Sequence, residues 1–216
     1  MVAPGILRLL EPVRGGQVVE IGCGSGLLTK YLVDAGHHVI ATDASPAMIE
    51  LAREYVPEVR IEQLRLPGDP VPGADAIVSV GHPLSYLDDE QQIEQALAAI
   101  AGALRPGGVL AFDICDLAYG QTRRGEPPLV WFGDDWVLIT RTSVPDPRAF
   151  RRDMTTFVRT GDLWRRDEET HDNVLIDTTR IPALLQRDGV TAEVETAFGD
   201  EALPTGLAAV IGHRLT

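Results

Sequence analysis

From residue 16 to about 115 the apolar positions alternate between short β-branched runs and stretches of helical spacing. QVVEIG is an apolar run that ends in glycines. LLTKYLVDAG follows with Leu27, Leu28, Tyr31 and Leu32 at helical spacing and Gly36 as its stop. HHVIATD predicts a second strand. SPAMIELAREYV predicts a helix with Ser45 as N-cap and Pro46 at the first helical position, where a missing N–H costs nothing. VRIEQLRL and DAIVSV predict the third and fourth strands. DDEQQIEQALAAIAGAL predicts the longest helix, acidic in its first turn and apolar at Ile93, Leu97, Ile100 and Leu104, and GGVLAFDIC the fifth strand. Strands that alternate with helices, several of them apolar on both faces, predict an α/β fold: a parallel sheet covered by helices on both sides.

After Cys115 the pattern changes. WVLITRTSV, DMTTFVRT and DLWRRDEET predict antiparallel strands joined by turns at Pro145–Pro147 and Gly161–Asp162. DTTRIPALLQRDG then predicts another helix, with Pro182 in its first turn, and VTAEVETAF and GLAAVIGHRL predict two final strands. The expected organisation is a core of residues 1–115 and 171–216, with residues 116–170 as an inserted antiparallel β-sheet after the fifth strand.

Composition narrows the function. The chain has 216 residues, 44% hydrophobic and 24% charged, which is ordinary globular usage. The net charge of −13 argues against nucleic acid and anionic membrane as partners, since both need cationic surface to meet phosphate. No apolar run reaches the roughly 18 residues of a membrane span, and MVAPGILRLLEPVRGG lacks the cationic start and apolar core of a signal peptide. The expected location is the cytoplasm. Cys23 and Cys115 fit no metal or disulfide pattern. Lys30 is the only lysine beside 18 arginines, a bias that reads as codon usage in a GC-rich bacterial genome. Nine of those arginines and all three tryptophans fall within residues 116–170, where ten acids leave the segment at −1.

The segment VVEIGCGSGLL carries the chemistry. A strand runs into Gly22, Gly24 and Gly26 and then a helix, so the turn is tight, a ligand can approach the backbone, and helix-terminal N–H groups are free. The dinucleotide fingerprint would need glycine at Leu27. Glu20 beside the loop would repel a pyrophosphate and attract a cation, which suits a nucleoside bearing an ammonium or sulfonium group. On these residues the chain resembles the class I S-adenosylmethionine (SAM)-dependent methyltransferases. EIGCGSG is similar to their first motif, Asp43 to the acid that holds the ribose hydroxyls, Met48 to the apolar residue beside the adenine, and LRPGGVL to a late motif at the start of the fifth strand. The resemblance covers about residues 6–115 and 174–216. It implies a doubly wound, Rossmann-like seven-stranded sheet, mostly parallel with the last strand antiparallel, and SAM as cofactor. Glu20, Gly22, Cys23, Gly24, Gly26, Asp43, Ala44, Met48, Leu64, Arg65, Gly81 and His82 are the implied cofactor contacts. Two departures stand out. Leu64–Arg65 occupies the position of an adenine-binding aspartate, so a backbone contact is expected there, and only ILRLLEP precedes the first motif.

An in-line methyl transfer must align acceptor, methyl and sulfur and exclude water. In a doubly wound sheet the acceptor sits beyond the carboxyl ends of the strands. VGHPLSYL follows the fourth strand and is similar to the loop of family members that act on amino sugars and other small metabolites. His82 is either a general base or a residue that shapes the loop, and Tyr86 either lines the acceptor pocket or packs under the next helix. Asp113 and Asp116 either orient an amine or hydroxyl or cap backbone groups. His171 is a third catalytic candidate. Arg141, Arg151 and Arg152 could hold an acidic substrate or form a solvated strand face. The tryptophans, Trp136 among them, cover the substrate, build the insert's own core or make a homodimer contact. The expectation is methyl transfer to a nitrogen or oxygen of a small molecule. The rivals are a SAM-binding protein without transferase activity and a dinucleotide-dependent oxidoreductase.

Overall fold

The computed structural model describes residues 2–216; Met1, the first residue of the expected core, lies outside them. The chain opens with helix α1 (Ala3–Leu9), then β1 (Gln17–Ile21), α2 (Leu27–Asp34), β2 (His38–Asp43), α3 (Pro46–Tyr55), β3 (Arg60–Gln63), β4 (Ala74–Ser79), α4 (Glu90–Ala103) and β5 (Leu104–Cys115). Ser45 caps α3 through a 3.4 Å bond from the Met48 amide, and Asp89 caps α4 through a 2.8 Å bond from the Gln92 amide. Helix α4 therefore starts after the two aspartates, and it buries Ile93, Ala96, Leu97 and Ile100. β3 ends earlier than VRIEQLRL predicts. The Arg65 amide turns back to Asp69 Oδ2 at 2.7 Å, and Pro67 has no N–H to give a ladder.

Beyond β5 come α5 (Leu117–Thr122), β6 (Leu129–Phe132), β7 (Trp136–Asp146), β8 (Ala149–Thr160) and β9 (Leu163–Val174). Then follow α6 (Ile181–Arg187), β10 (Val190–Glu195), the two-residue strands β11 (Ala197–Phe198) and β12 (Glu201–Ala202), and β13 (Leu207–Arg214). The sequence pattern does not announce α5, which is short and contains Gly120, or β6, a four-residue edge strand.

The main sheet has seven strands in the order β10-β13-β5-β4-β1-β2-β3. Neighbours within β3 to β5 are parallel, and β13 runs antiparallel to both β5 and β10. This is the doubly wound sheet with one reversed strand that the sequence implies. One face packs Phe112, Ile93, Leu97, Ile100 and Leu185 under α4 and α6. The other packs Ile6, Leu10, Leu32 and Phe198 under α1 and α2. The chain leaves β1 toward β2 and returns on its other side through β4, so the crevice for a ligand opens at the carboxyl ends of β1 and β4.

The second sheet is antiparallel in the order β6-β7-β8-β9. Its last strand reaches Val174, beyond residue 170. Residues paired directly across antiparallel strands share a face. One face thus presents Thr142, Arg152 and His171 in a row, with Phe150 and Asn173 beside it. Phe150 packs against Tyr119 with ring centroids 5.0 Å apart and anchors this face on the main fold. Arg151 and Asp172, directly paired on the opposite face, form an exposed ion pair at 2.7 Å.

Candidate functional site

Gly22, Gly24 and Gly26 all have positive φ, the left-handed region that side chains avoid. At Gly22 a Cβ would fall 2.4 Å from Pro83 Cγ, so the loop after β1 is pressed against the loop after β4. At Gly24 a Cβ would meet nothing within 4 Å, because this glycine faces open space. Asp43, at the end of β2, locks the turn. Its Oδ2 accepts from the Gly24 amide at 2.9 Å and its Oδ1 from the Ser45 amide at 2.8 Å. Each oxygen keeps further acceptor capacity for a ligand.

A cavity of about 760 Å³ opens beside this carboxylate. Gly22, Asp43, Ala44, Met48, Leu64 and Arg65 line one end, and Gly81, Pro83, Tyr86, Glu169 and His171 the other. A second cavity of about 450 Å³ shares Gly22 and Val80 with it, and Glu20, Cys23, Gly24, Leu27 and Tyr31 line that one together with Ala3 of α1. Glu20 is buried and accepts from Thr29 Oγ1 at 2.5 Å. Burial pushes its carboxyl up to about 7, the nearby Asp43 charge adds to this, and the Thr29 bond opposes it. Burial, with Glu20 and Asp43, pushes the Cys23 thiol up to about 12, so it stays protonated and is no nucleophile.

The far end of the larger cavity is built on the loop after β4. His82 adopts φ 51° and ψ 43°, and is the one non-glycine residue with positive φ among the described residues. Backbone strain of this kind needs a surrounding structure that fixes it. Asp113, buried on the neighbouring β5, does so: its Oδ1 accepts from the His82 amide at 2.7 Å. Burial pushes Asp113 up to about 6 against the bonds from the His82 and Gly81 amides. The His82 ring stacks on Tyr86 at 5.9 Å and leans on Tyr119 at 6.0 Å. Both its nitrogens are buried without a hydrogen-bond partner. Burial first, then Arg152 and Arg123, push this imidazole down to about 4. It is neutral at physiological pH. Tyr86 also meets the edge of the His171 ring at 5.7 Å, and its hydroxyl accepts from Arg152 Nη2 at 2.6 Å.

Residues 18–108 match the sequence model of the methyltransferase domain family. Over those residues the chain is similar to methyltransferase domains. An uncharacterized methyltransferase of Anoxybacillus flavithermus is 36% identical over 112 residues, 50% of this chain and 50% of that protein. The chain thus spans about half the length of the curated relative it matches. A SAM-dependent methyltransferase of Clostridium acetobutylicum has the same fold, with a TM-score of 0.85 over 99% of this chain and 91% of its own at 17% identity. The sugar N-methyltransferase KedS8 of Streptoalloteichus gives 0.82 over 99% and 87% at 22% identity. At these identities the two solved structures establish the fold alone.

Gly22, Asp43, Ala44, Met48, Leu64, Arg65, Gly81 and Tyr86 border the larger cavity, His171 reaches it from β9, and Glu20, Cys23 and Gly24 border the adjoining one. His82 and Asp113 lie just beneath the larger cavity. Three expected substrate residues do not line it. Asp116 caps α5 through Ala118 at 2.9 Å and spends its other oxygen on Thr178 Oγ1 at 2.7 Å. Arg141 lies on the opposite face of the second sheet from Arg152, opposite Asp153. Trp136 shares the inner face but lies six residues along β7 from Thr142, about 20 Å away. Tyr119 and Arg123 on and after α5, and Asn173 on β9, were not singled out by the sequence. The one advance signal for Arg123 is the arginine surplus of the segment. No group of acids, histidines and cysteines among the described residues could hold a metal. No helix there is long and apolar enough to cross a membrane.

Proposed function

We propose that the protein transfers a methyl group from SAM to a nitrogen or oxygen of a small-molecule acceptor. The observation that carries this reading is Asp43: a carboxylate with both oxygens fixed by loop amides, facing a cavity that continues to a strained histidine loop. When bound, SAM supplies an electrophilic methyl carbon on a sulfonium. Asp43 accepts the ribose hydroxyls with the acceptor capacity its two amide bonds leave free. Met48 and Leu64 give the adenine an apolar border, and backbone at Leu64–Arg65 serves its amino group. Glu20 offers negative charge to the ammonium. Gly81 and His82 fix the wall where acceptor and methyl meet, and Tyr86 and His171 exclude water; the His82 imidazole, held down at about 4 and covered by Tyr86, shapes this wall and is a weak base for the acceptor's proton. Residues 116–170 act as the acceptor-facing wall, and the similarity of fold to a sugar N-methyltransferase supports a small acceptor.

Isothermal titration with SAM tests the reading; absence of heat up to about 1 mM SAM sinks it. A pH dependence follows from Glu20. Its carboxyl is raised from 4.5 to about 7 in the free protein. The stability it contributes is present below 4.5 and lost as pH rises through 7. A cation beside it favours the carboxylate, so SAM binding near pH 7 will release a proton and weaken as pH falls below 7. Titrations in buffers of different ionisation enthalpy will measure the release, and Glu20→Gln will abolish it. Proton uptake on binding would contradict the assignment.

The covered His82 ring also suits a second reading, a SAM-binding protein without transferase activity. SAM binding with no methylation across a broad panel of amines and hydroxy compounds would establish that one.

A further inference from the structure

Of the nine arginines in residues 116–170, four are ion-paired; Arg124, Arg141 and Arg159 are exposed without a carboxylate, and Arg123 and Arg152 are half-buried. Arg148, Arg151, Arg165 and Arg166 each reach a carboxylate within hydrogen-bond distance. Arg152 and Arg123 do not. Arg152 has one hydrogen bond, to the neutral Tyr86 hydroxyl, and its Nε is buried with no partner. The Arg123 guanidinium lies over the Tyr119 ring at 3.7 Å and bonds only carbonyls and a hydroxyl, among them Thr205 O at 2.9 Å. The two charges converge on the same buried imidazole. The nearby acids are committed elsewhere, Asp113 to the His82 amide and Glu169 to His171.

Half-buried, unneutralised guanidinium groups are costly, and burial without a partner is seldom kept without use. The chain carries 32 acidic residues, and none is placed on this pair. A guanidinium presents a planar fork that fits two oxygens of one oxyanion. Tyr86 occupies one prong with a neutral oxygen that a carboxylate or phosphate outcompetes.

We propose that the acceptor carries an oxyanion, a carboxylate or a phosphate, beside the atom that is methylated, and that Arg152, backed by Arg123, is the specificity residue that binds it. The methyl-transfer reading supplies what the site does; the pairing of the arginines supplies what it admits. On binding, the anion takes the free Nε–H and displaces the Tyr86 hydroxyl, and the Tyr86 ring swings off the His82 face to admit the acceptor.

The test uses the full chain with no SAM present, so it stands apart from the test of the reaction. The Arg152 Nε–H resonance, assigned by its loss in Arg152→Gln, is followed during titration with acetate or inorganic phosphate at constant ionic strength in chloride. The expected result is a saturable shift with slowed exchange with water. Acetate alone identifies a carboxylate acceptor and phosphate alone a phosphate one. Arg165→Gln will respond as the wild type does. Tyr86→Phe, which removes the competing phenol, will bind the same anion several-fold more tightly. Responses to both anions no larger than to chloride, or an unchanged affinity in Tyr86→Phe, overturn the proposal and leave Arg152 as a support for Tyr86.

Discussion

Replacing Asp113 with alanine is expected to lower methyl-transfer turnover about a hundredfold while SAM still binds. Asp113 sits on β5 with its Oδ1 2.7 Å from the His82 amide, and that bond holds a left-handed backbone conformation that few non-glycine residues adopt. Without it the loop relaxes, and a displacement of about 1 Å at a reacting centre is enough to cost about 10²-fold. The freed amides add a stability cost of about 1–3 kcal/mol. Removing a buried carboxyl offsets part of it. Asp113 is raised from 3.8 to about 6, so the stability it contributes is present below 3.8 and lost as pH rises through 6. At pH 8 the variant will therefore lose less stability than at pH 4, with turnover low at both. Thermal unfolding at the two pH values and steady-state kinetics will separate these effects. Wild-type turnover in the variant would mean that the loop keeps its shape without this anchor.

Asp43→Ala is expected to weaken SAM binding about 10- to 100-fold, the loss of charge-assisted bonds to the ribose. The same carboxylate positions Gly24 and Ser45, so the alanine also loosens the glycine turn. Asp43→Asn keeps one acceptor oxygen and will fall between the two. Calorimetry on the three proteins measures the series; an alanine variant within twofold of the wild type would remove Asp43 from the ribose.

Much of this arrangement is local in sequence. Gly22, Gly24 and Gly26 need positive φ within five residues of a strand, and Asp43 ends the next strand, so both are legible without knowing the fold. The alternation of strands and helices carries the main sheet for the same reason. What is not legible depends on partners far along the chain. Asp113 meets the His82 amide only because β4 and β5 are neighbours. Asp116 is consumed by Thr178, and Arg123 is held by Thr205. The arginine surplus of residues 116–170 points to a segment and does not say which arginine faces the main fold. Arg151 and Arg152 are adjacent and equal in chemistry, and only strand pairing sends one outward to Asp172 and the other inward to Tyr86.

That parity makes the second sheet intolerant of small changes in length. Deleting Arg151 would bring Asp153 into the slot that Arg152 fills and reverse the charge set against Tyr86. Inserting one residue after Phe150 would bring in Arg151 and turn Arg152 out. A redesign of acceptor preference would keep the strand lengths fixed and change every second residue along β8 and β9, leaving the outer ion pairs as they are.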